Sequence, residues 1–149
     1  MTWTDNMSNK SEPVISSYSG ENYTKVSFWP DFERFQMTDF DDDTLKLFEK
    51  RIYDLAAVIN GKVTVTYNNE VIPVQNFIDY CKMYLEKDEK GEVQNPLVQY
   101  TSEDKRWNIV ATISDGEFHS VSFVNSICTT GGGTHVDHIA NQIVQKLIK

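Results

Sequence analysis

The chain has 149 residues, a formal net charge of -8 and 40% hydrophobic residues, with aromatics at 12%. That length suits one domain, or two small pieces sharing an interface, and at this size a folded chain buries roughly 70% of its unfolded-state surface. The composition excludes wholesale disorder, and the negative charge argues against an autonomous DNA binder, whose affinity would rest on Lys and Arg held against phosphates.

Met1 to Pro30 reads as two strands around a polar loop. The first is MTWTDNM and the second YTKVSFWP, where Tyr23, Lys25, Ser27 and Trp29 alternate with Thr24, Val26 and Phe28. The linker SNKSEPVISSYSGEN carries the Ser, Asn, Pro and Gly of an exposed connection, and Pro30 stops the strand because it has no N–H for a ladder. No basic stretch followed by an apolar core opens the chain, so a secretory leader is not expected, and no apolar run approaches the roughly 18 residues of a membrane span.

A helix is predicted from about Asp41 to Ile59, with Leu45, Phe48, Ile52, Leu55, Ala56 and Ile59 as its buried stripe. Asp41, Asp42 and Asp43 crowd its first turn, where the positive end of the helix dipole favours carboxylates; a metal site is the rarer use of such a triplet. Asn60-Gly61 ends it, with Gly61 able to take the left-handed cap conformation. The change of pattern at Asn60-Gly61 marks an internal boundary between residues 1–60 and 61–149.

Beyond it, KVTVTYNNEVIPV forms a hairpin turning at Asn68-Asn69, with Pro73 limiting the second arm to a short or edge strand. A helix is expected over Val74–Glu86, then a charged loop EKDEKGEVQNP. Three antiparallel strands follow, LVQYT, RWNIVATIS and FHSVSFVNSI, the last two joined through Asp115-Gly116. The final stretch is strand, then CTTGGGTH, then an amphipathic helix running to Lys149. Its stripe is Val136, Ile139, Ala140, Ile143, Val144, Leu147 and Ile148, Thr134 is placed as N-cap, and Asp137 stands where a capping box wants an acceptor. The fold class is α+β.

Four constellations carry potential chemistry. His135 and His138, three apart, could share a metal ion, but no third ligand is identifiable. Cys128 with His119 or His135 could pair nucleophile and base, though nothing in the spacing requires it. Cys81 and Cys128 lack a C-x-x-C spacing and read as reduced, half-buried thiols. Gly131-Gly132-Gly133 before a helix could cradle a phosphate, yet the run lacks the Walker Lys followed by Ser or Thr and the Rossmann glycine spacing. Backbone geometry, a close reversal of strand into helix, is the commoner role for such glycines.

SFVNSICTTGGGTHVDHIANQIVQKL resembles the segment of eukaryotic-type DNA topoisomerase II (type IIA) that enters the long helix of its transducer domain. WTDNMS and YTKVSFWPDFERFQM resemble the end of that family's GHKL-type ATPase domain, and KRIYDLAA the helix that follows. VTYNNEVIPVQNFIDYCKMYL and RWNIVATISDGEFHSVSFVNSI are similar to the hairpin, helix and central strands of the transducer. The blocks occur in the family's order and cover essentially the whole chain. The resemblance implies an ATPase-domain tail over 1–60 followed by a partial transducer over 61–149.

It further implies a segment that relays nucleotide state toward the DNA gate of an ATP-dependent isomerase, nuclear and homodimeric, which passes one duplex through a break in another. Phe123, Asn125, Gly132, Gly133, Thr134 and His135 would be its structural and relay residues. ATP and Mg2+ would serve the parent enzyme without being held by residues of this chain. The family's ATP-binding Asn and Asp motif, its Gly-rich lid, its Gln-Thr-Lys loop, its acidic metal triad and its DNA-cleaving tyrosine are not found here. No DNA contact carries over onto Lys146 or Lys149, and the chain reads as a fragment without turnover of its own. The rival reading is a stand-alone interaction module that binds through the acidic helix or the strand edge near Pro73; a third is a small Cys/His hydrolase or metalloprotein.

Overall fold

Residues 1–91 and 93–148 are described by the computed structural model; Glu92, in the charged loop, and Lys149, the expected end of the last helix, lie outside the described residues. Two compact units emerge, Met1–Asp42 and Asp43–Lys149. They meet near Asp42 and not at Asn60-Gly61, because the helix before that dipeptide buries its face against residues that follow it.

In the first unit, β1 (Trp3–Thr4) pairs antiparallel with β2 (Asn9–Lys10), Trp3 opposite Lys10. Asp5, Asn6 and Met7 all take positive φ, and the Ser8 N–H donates to the Asp5 carbonyl at 2.9 Å. The chain thus turns back within residues expected to lead into the linker. Tyr23–Pro30 forms no strand, and Trp29 is 86% exposed. Alternation supplies the side chains of a strand, but no described strand of this unit offers its edge. A 3-10 turn at Glu33–Phe35 ends at Gln36, with φ 56, and Phe32 meets Phe40 edge to face at 5.0 Å.

The second unit is built on α1 (Asp42–Ile59). Only the C-terminal half of its expected stripe is covered: Ala56 and Ala57 are buried, Ile52 and Ile59 half-buried, while Leu45, Phe48 and Leu55 remain exposed. Asp54 enters the core on the face where Leu55 was expected. Asn60 and Gly61, with φ 56 and 71, end the helix as predicted. The hairpin β3 (Thr66–Tyr67) and β4 (Glu70–Val71) turns at Asn68 and Asn69, whose φ values of 49 and 65 suit a two-residue loop. Ile72 and Val74 then point inward with Pro73 outward, and both join the core with Ala56, Ala57 and Tyr80.

α2 (Phe77–Lys82) is shorter than the predicted Val74–Glu86. Val74 is spent in the extended core segment, and Asn76 caps the helix by accepting the Asp79 N–H at 2.9 Å. Past Lys82 the chain tightens into bonds three residues apart, Tyr84 N–H to the Cys81 carbonyl among them. The charged loop closes through an antiparallel bridge between Lys87 and Val93.

β5 (Leu97–Thr101) and β6 (Asn108–Thr112) pair antiparallel, Leu97 opposite Thr112. The third strand of the expected meander does not join them. Instead β7 (Phe123–Val124) and β8 (Ile127–Cys128) form a separate hairpin. α3 (Thr134–Leu147) follows, capped by Gly133 and not by Thr134. The Gly133 carbonyl accepts the Val136 and Asp137 N–H groups at 2.9 and 3.3 Å, and Thr134 is already helical. Val136, Ile139 and Ala140 are half-buried, whereas Ile143, Val144, Leu147 and Ile148 are exposed.

The fold class is therefore α+β, with small antiparallel sheets and a C-terminal helix. The core is smaller than length allows. The chain exposes 13166 Å², where a compact monomer of its mass exposes about 7,800 Å². Among the described residues no helix is long and apolar enough to cross a membrane.

Candidate functional site

Phe123 is the residue where three elements converge. β7 carries its ring edge to face onto Phe77, at 6.3 Å, and onto Tyr80, at 5.7 Å, both from α2. The Tyr80 hydroxyl donates to Asp54 Oδ1 of α1 at 2.6 Å and shares a 2.7 Å hydrogen bond with the Tyr84 hydroxyl. Lys50, one turn before Asp54, bonds both carboxylate oxygens at 2.8 and 2.9 Å, and Arg51 lies 3.5 Å away. The Asp54 side chain is 6% exposed, so these cations and the phenol replace the water it lost.

Burial, then the hydrogen bonds to Asp54 and Tyr84, push the Tyr80 phenol far above its ordinary value. It is a fixed donor, not an acid for chemistry. Burial pulls the Lys50 ammonium down, but the hydrogen bond and charge of Asp54 outweigh it and leave its pKa raised. Burial alone lifts the Cys81 thiol to about 11, which keeps it protonated and unreactive near neutral pH.

A second cluster joins the hairpin to α3. Asn125 and Ser126, with φ 49 and 68, turn β7 into β8, and the register brings Ser122 opposite Thr129, whose N–H donates to the Ser122 carbonyl at 2.8 Å. The two hydroxyls bond to each other, and His135 Nε2 lies 3.2 Å from each. One imidazole thereby ties the first turn of α3 to both arms of the hairpin.

The glycines make that approach possible. Gly132, at φ 69, donates its N–H to the Thr129 carbonyl at 3.0 Å. Gly133 sits at φ 146, and a Cβ there would lie 3.0 Å from the His135 ring. The structure thus gathers Phe123, Asn125, Gly132, Gly133 and His135 around one corner, with Thr134 as the first residue of the helix beyond it.

The alternative chemistries find other partners. His138 lies against Trp107, ring centroids 6.4 Å apart, so the two histidines turn to different neighbours. His119 contacts Asp115 at 3.3 Å, and Cys128 is a free, half-buried thiol in β8. Asp42 and Asp43 stay exposed at the start of α1. No group of three or more metal-ligating side chains is gathered among the described residues, and the glycine turn spends an amide on its own Thr129 carbonyl, so this corner does not fit a nucleotide or metal site.

Asp54, Tyr80, Ser122 and Thr129 escape the sequence reading. A carboxylate four residues after Lys50, flanked by Tyr53 and Ala56-Ala57, is the signal for the first. The Asn125-Ser126 turn fixes the pairing of the last two.

A family model described as DNA gyrase B matches residues 76–149. DNA topoisomerase 2 of Arabidopsis thaliana is 42% identical over 146 residues, covering 97% of this chain and 10% of that protein. DNA topoisomerase 2 of Penicillium chrysogenum is 44% identical, covering 98% and 9%. DNA topoisomerase 2-alpha of Gallus gallus is 45% identical, covering 99% and 9%. The chain spans about a tenth of the length of these relatives.

Proposed function

We propose, since this chain belongs to the type II DNA topoisomerase family, that it serves as a mechanical relay within an ATP-dependent isomerase. In this reading residues 1–60 are the C-terminal edge of a GHKL-type ATPase domain and residues 61–149 the first part of a transducer. The parent enzyme is a nuclear homodimer that carries one DNA duplex through a double-strand break in another. ATP with Mg2+, held by residues outside this chain, supplies the free energy of that cycle; the residues described here transmit displacement.

One observation carries the proposal: an unbroken path of contacts from Asp54 in α1, through Tyr80 in α2 and Phe123 in β7, to the Ser122–Thr129–His135 corner that starts α3. Each link is short and directional, so a shift of α1 is passed to α3 and not absorbed by loose contacts.

The test is a chimera in which this chain replaces the matching 148 residues of the chicken enzyme. The reading expects DNA-stimulated ATP hydrolysis and strand passage to persist. It also expects Phe123→Ala to lower strand passage per ATP hydrolysed at least about tenfold, with ATP hydrolysis itself retained. Strand passage per ATP unchanged by Phe123→Ala would overturn the relay, and ATP turnover by the purified chain alone would overturn the division of labour.

A further inference from the structure

β6 has an open edge. In the β5–β6 ribbon the Ser102 N–H donates to the Trp107 carbonyl at 2.9 Å, which identifies that facing pair as hydrogen-bonded. Antiparallel pairs alternate, so Ile109 and Ala111 direct their backbone groups at β5, while Asn108, Val110 and Thr112 direct theirs away from it. No hydrogen-bonded strand occupies that side among the described residues.

The β7–β8 hairpin has the complementary vacancy. Ser122 and Thr129 are a hydrogen-bonded pair, so Phe123, and by continuation Val121 and His119, turn their backbone groups away from β8. Between the two ribbons stands Asp115-Gly116, a dipeptide suited to a two-residue turn, with Gly116 already at φ 115. Such a turn sets Ser114 opposite Glu117 as a hydrogen-bonded pair, and every second pair after it must be one too. Those pairs are Thr112 with His119, Val110 with Val121, and Asn108 with Phe123. All six residues are the ones whose backbone groups face outward, which a register shifted by one residue would not achieve.

We infer that Phe118–Val124 is a strap that zips onto the free edge of β6, fusing the two ribbons into one four-stranded antiparallel sheet. Closure places Val110 beside Val121 and Ile113 beside Phe118, two apolar cross-strand pairs. Ile113 and Phe118 are now 64% and 72% exposed. It also turns two ribbons, each marginal alone, into a sheet of a size that holds together. In the open arrangement an exposed contact between His119 and Asp115 spans the unformed turn, and closure breaks it. The pairing does not depend on the topoisomerase reading; only its use, linking β5–β6 rigidly to the corner that starts α3, rests on it.

Residue-resolved amide exchange on the unaltered 149-residue chain tests the strap. The Val110, Thr112, His119 and Val121 amides should exchange at least about tenfold more slowly than those of Val14 and Ile15. Equal rates overturn it. Register is checked by cross-linking in a Cys81→Ala, Cys128→Ala background. Ala111→Cys with Ser120→Cys, a facing non-hydrogen-bonded pair, should oxidise to an internal disulfide. Ala111→Cys with Val121→Cys, pointing to opposite faces, should not. Equal cross-linking of both pairs, or of neither, also overturns the proposal.

Discussion

Tyr80 does two jobs with separable costs. Its ring fills the core beside Phe123, and its hydroxyl satisfies the buried Asp54. Tyr80→Phe keeps the first and removes the second; Lys50 still pairs the carboxylate, so the expected loss is about 1–2 kcal/mol by urea denaturation. The Cys81 thiol contributes a pH dependence of definite sign. Its pKa rises from 9.0 to about 11 on folding, so the folded state prefers the neutral thiol. That stability is fully present below pH 9 and is lost as pH climbs through 11, and the raised Tyr80 phenol acts in the same direction. Urea midpoints should fall between pH 9 and 11, and Cys81→Ala should shrink the fall. Residues of this kind are hard to read in a sequence. Asp54 looks like any surface carboxylate of an acidic helix until the partner 26 residues later is placed beside it.

At the scale of elements, what was legible depended on local chemistry. Both long helices, the left-handed stop at Gly61 and the Asn68-Asn69 turn follow from period, cap and φ preference, and they stand as predicted. Where two elements compete for the same residues, local signals fail. Val74 reads as the first turn of α2 but is claimed by the core segment, and Thr134 reads as a cap but yields that place to Gly133. The candidate corner was legible in outline through its glycines and His135. Its hydroxyl partners depend on hairpin register, which no single-residue signal reveals. Gly133→Ala tests how tightly that corner is built. It forces a Cβ to φ 146 and against the His135 ring, so we expect about 1–3 kcal/mol of destabilisation and loss of the His135–Ser122 contact, read from imidazole chemical shifts.

For the molecule as a whole, composition promised more core than the chain forms. Only Ala56, Ala57, Ile72, Val74 and Tyr80 make its buried apolar cluster, while Leu147 and Ile148 at the end of α3 are 79% and 78% exposed. The seven-residue stripe of α3 is thus half covered, and apolar surface of that extent drives association. The chain should elute from a sizing column earlier as concentration rises, and Leu147→Glu with Ile148→Glu should abolish the shift; a concentration-independent monomer for the unaltered chain would count against this. The same shortage of core explains why the family resemblance was easier to read than the packed structure. Family blocks survive in the order of residues, whereas a core requires neighbours that periodicity alone does not supply.

The left-handed stop after α1 carries a chemical liability. Asn60-Gly61 is exposed, and glycine leaves the following backbone nitrogen unhindered to attack the asparagine side chain. Ammonia departs, a cyclic imide forms, and its hydrolysis leaves a mixture of aspartate and isoaspartate. The isoaspartyl form adds a methylene to the main chain at the one joint between α1 and the first hairpin of the second unit. Stored protein therefore ages at the connection that sets where α1 ends, and a freshly made sample and an old one differ in backbone length there.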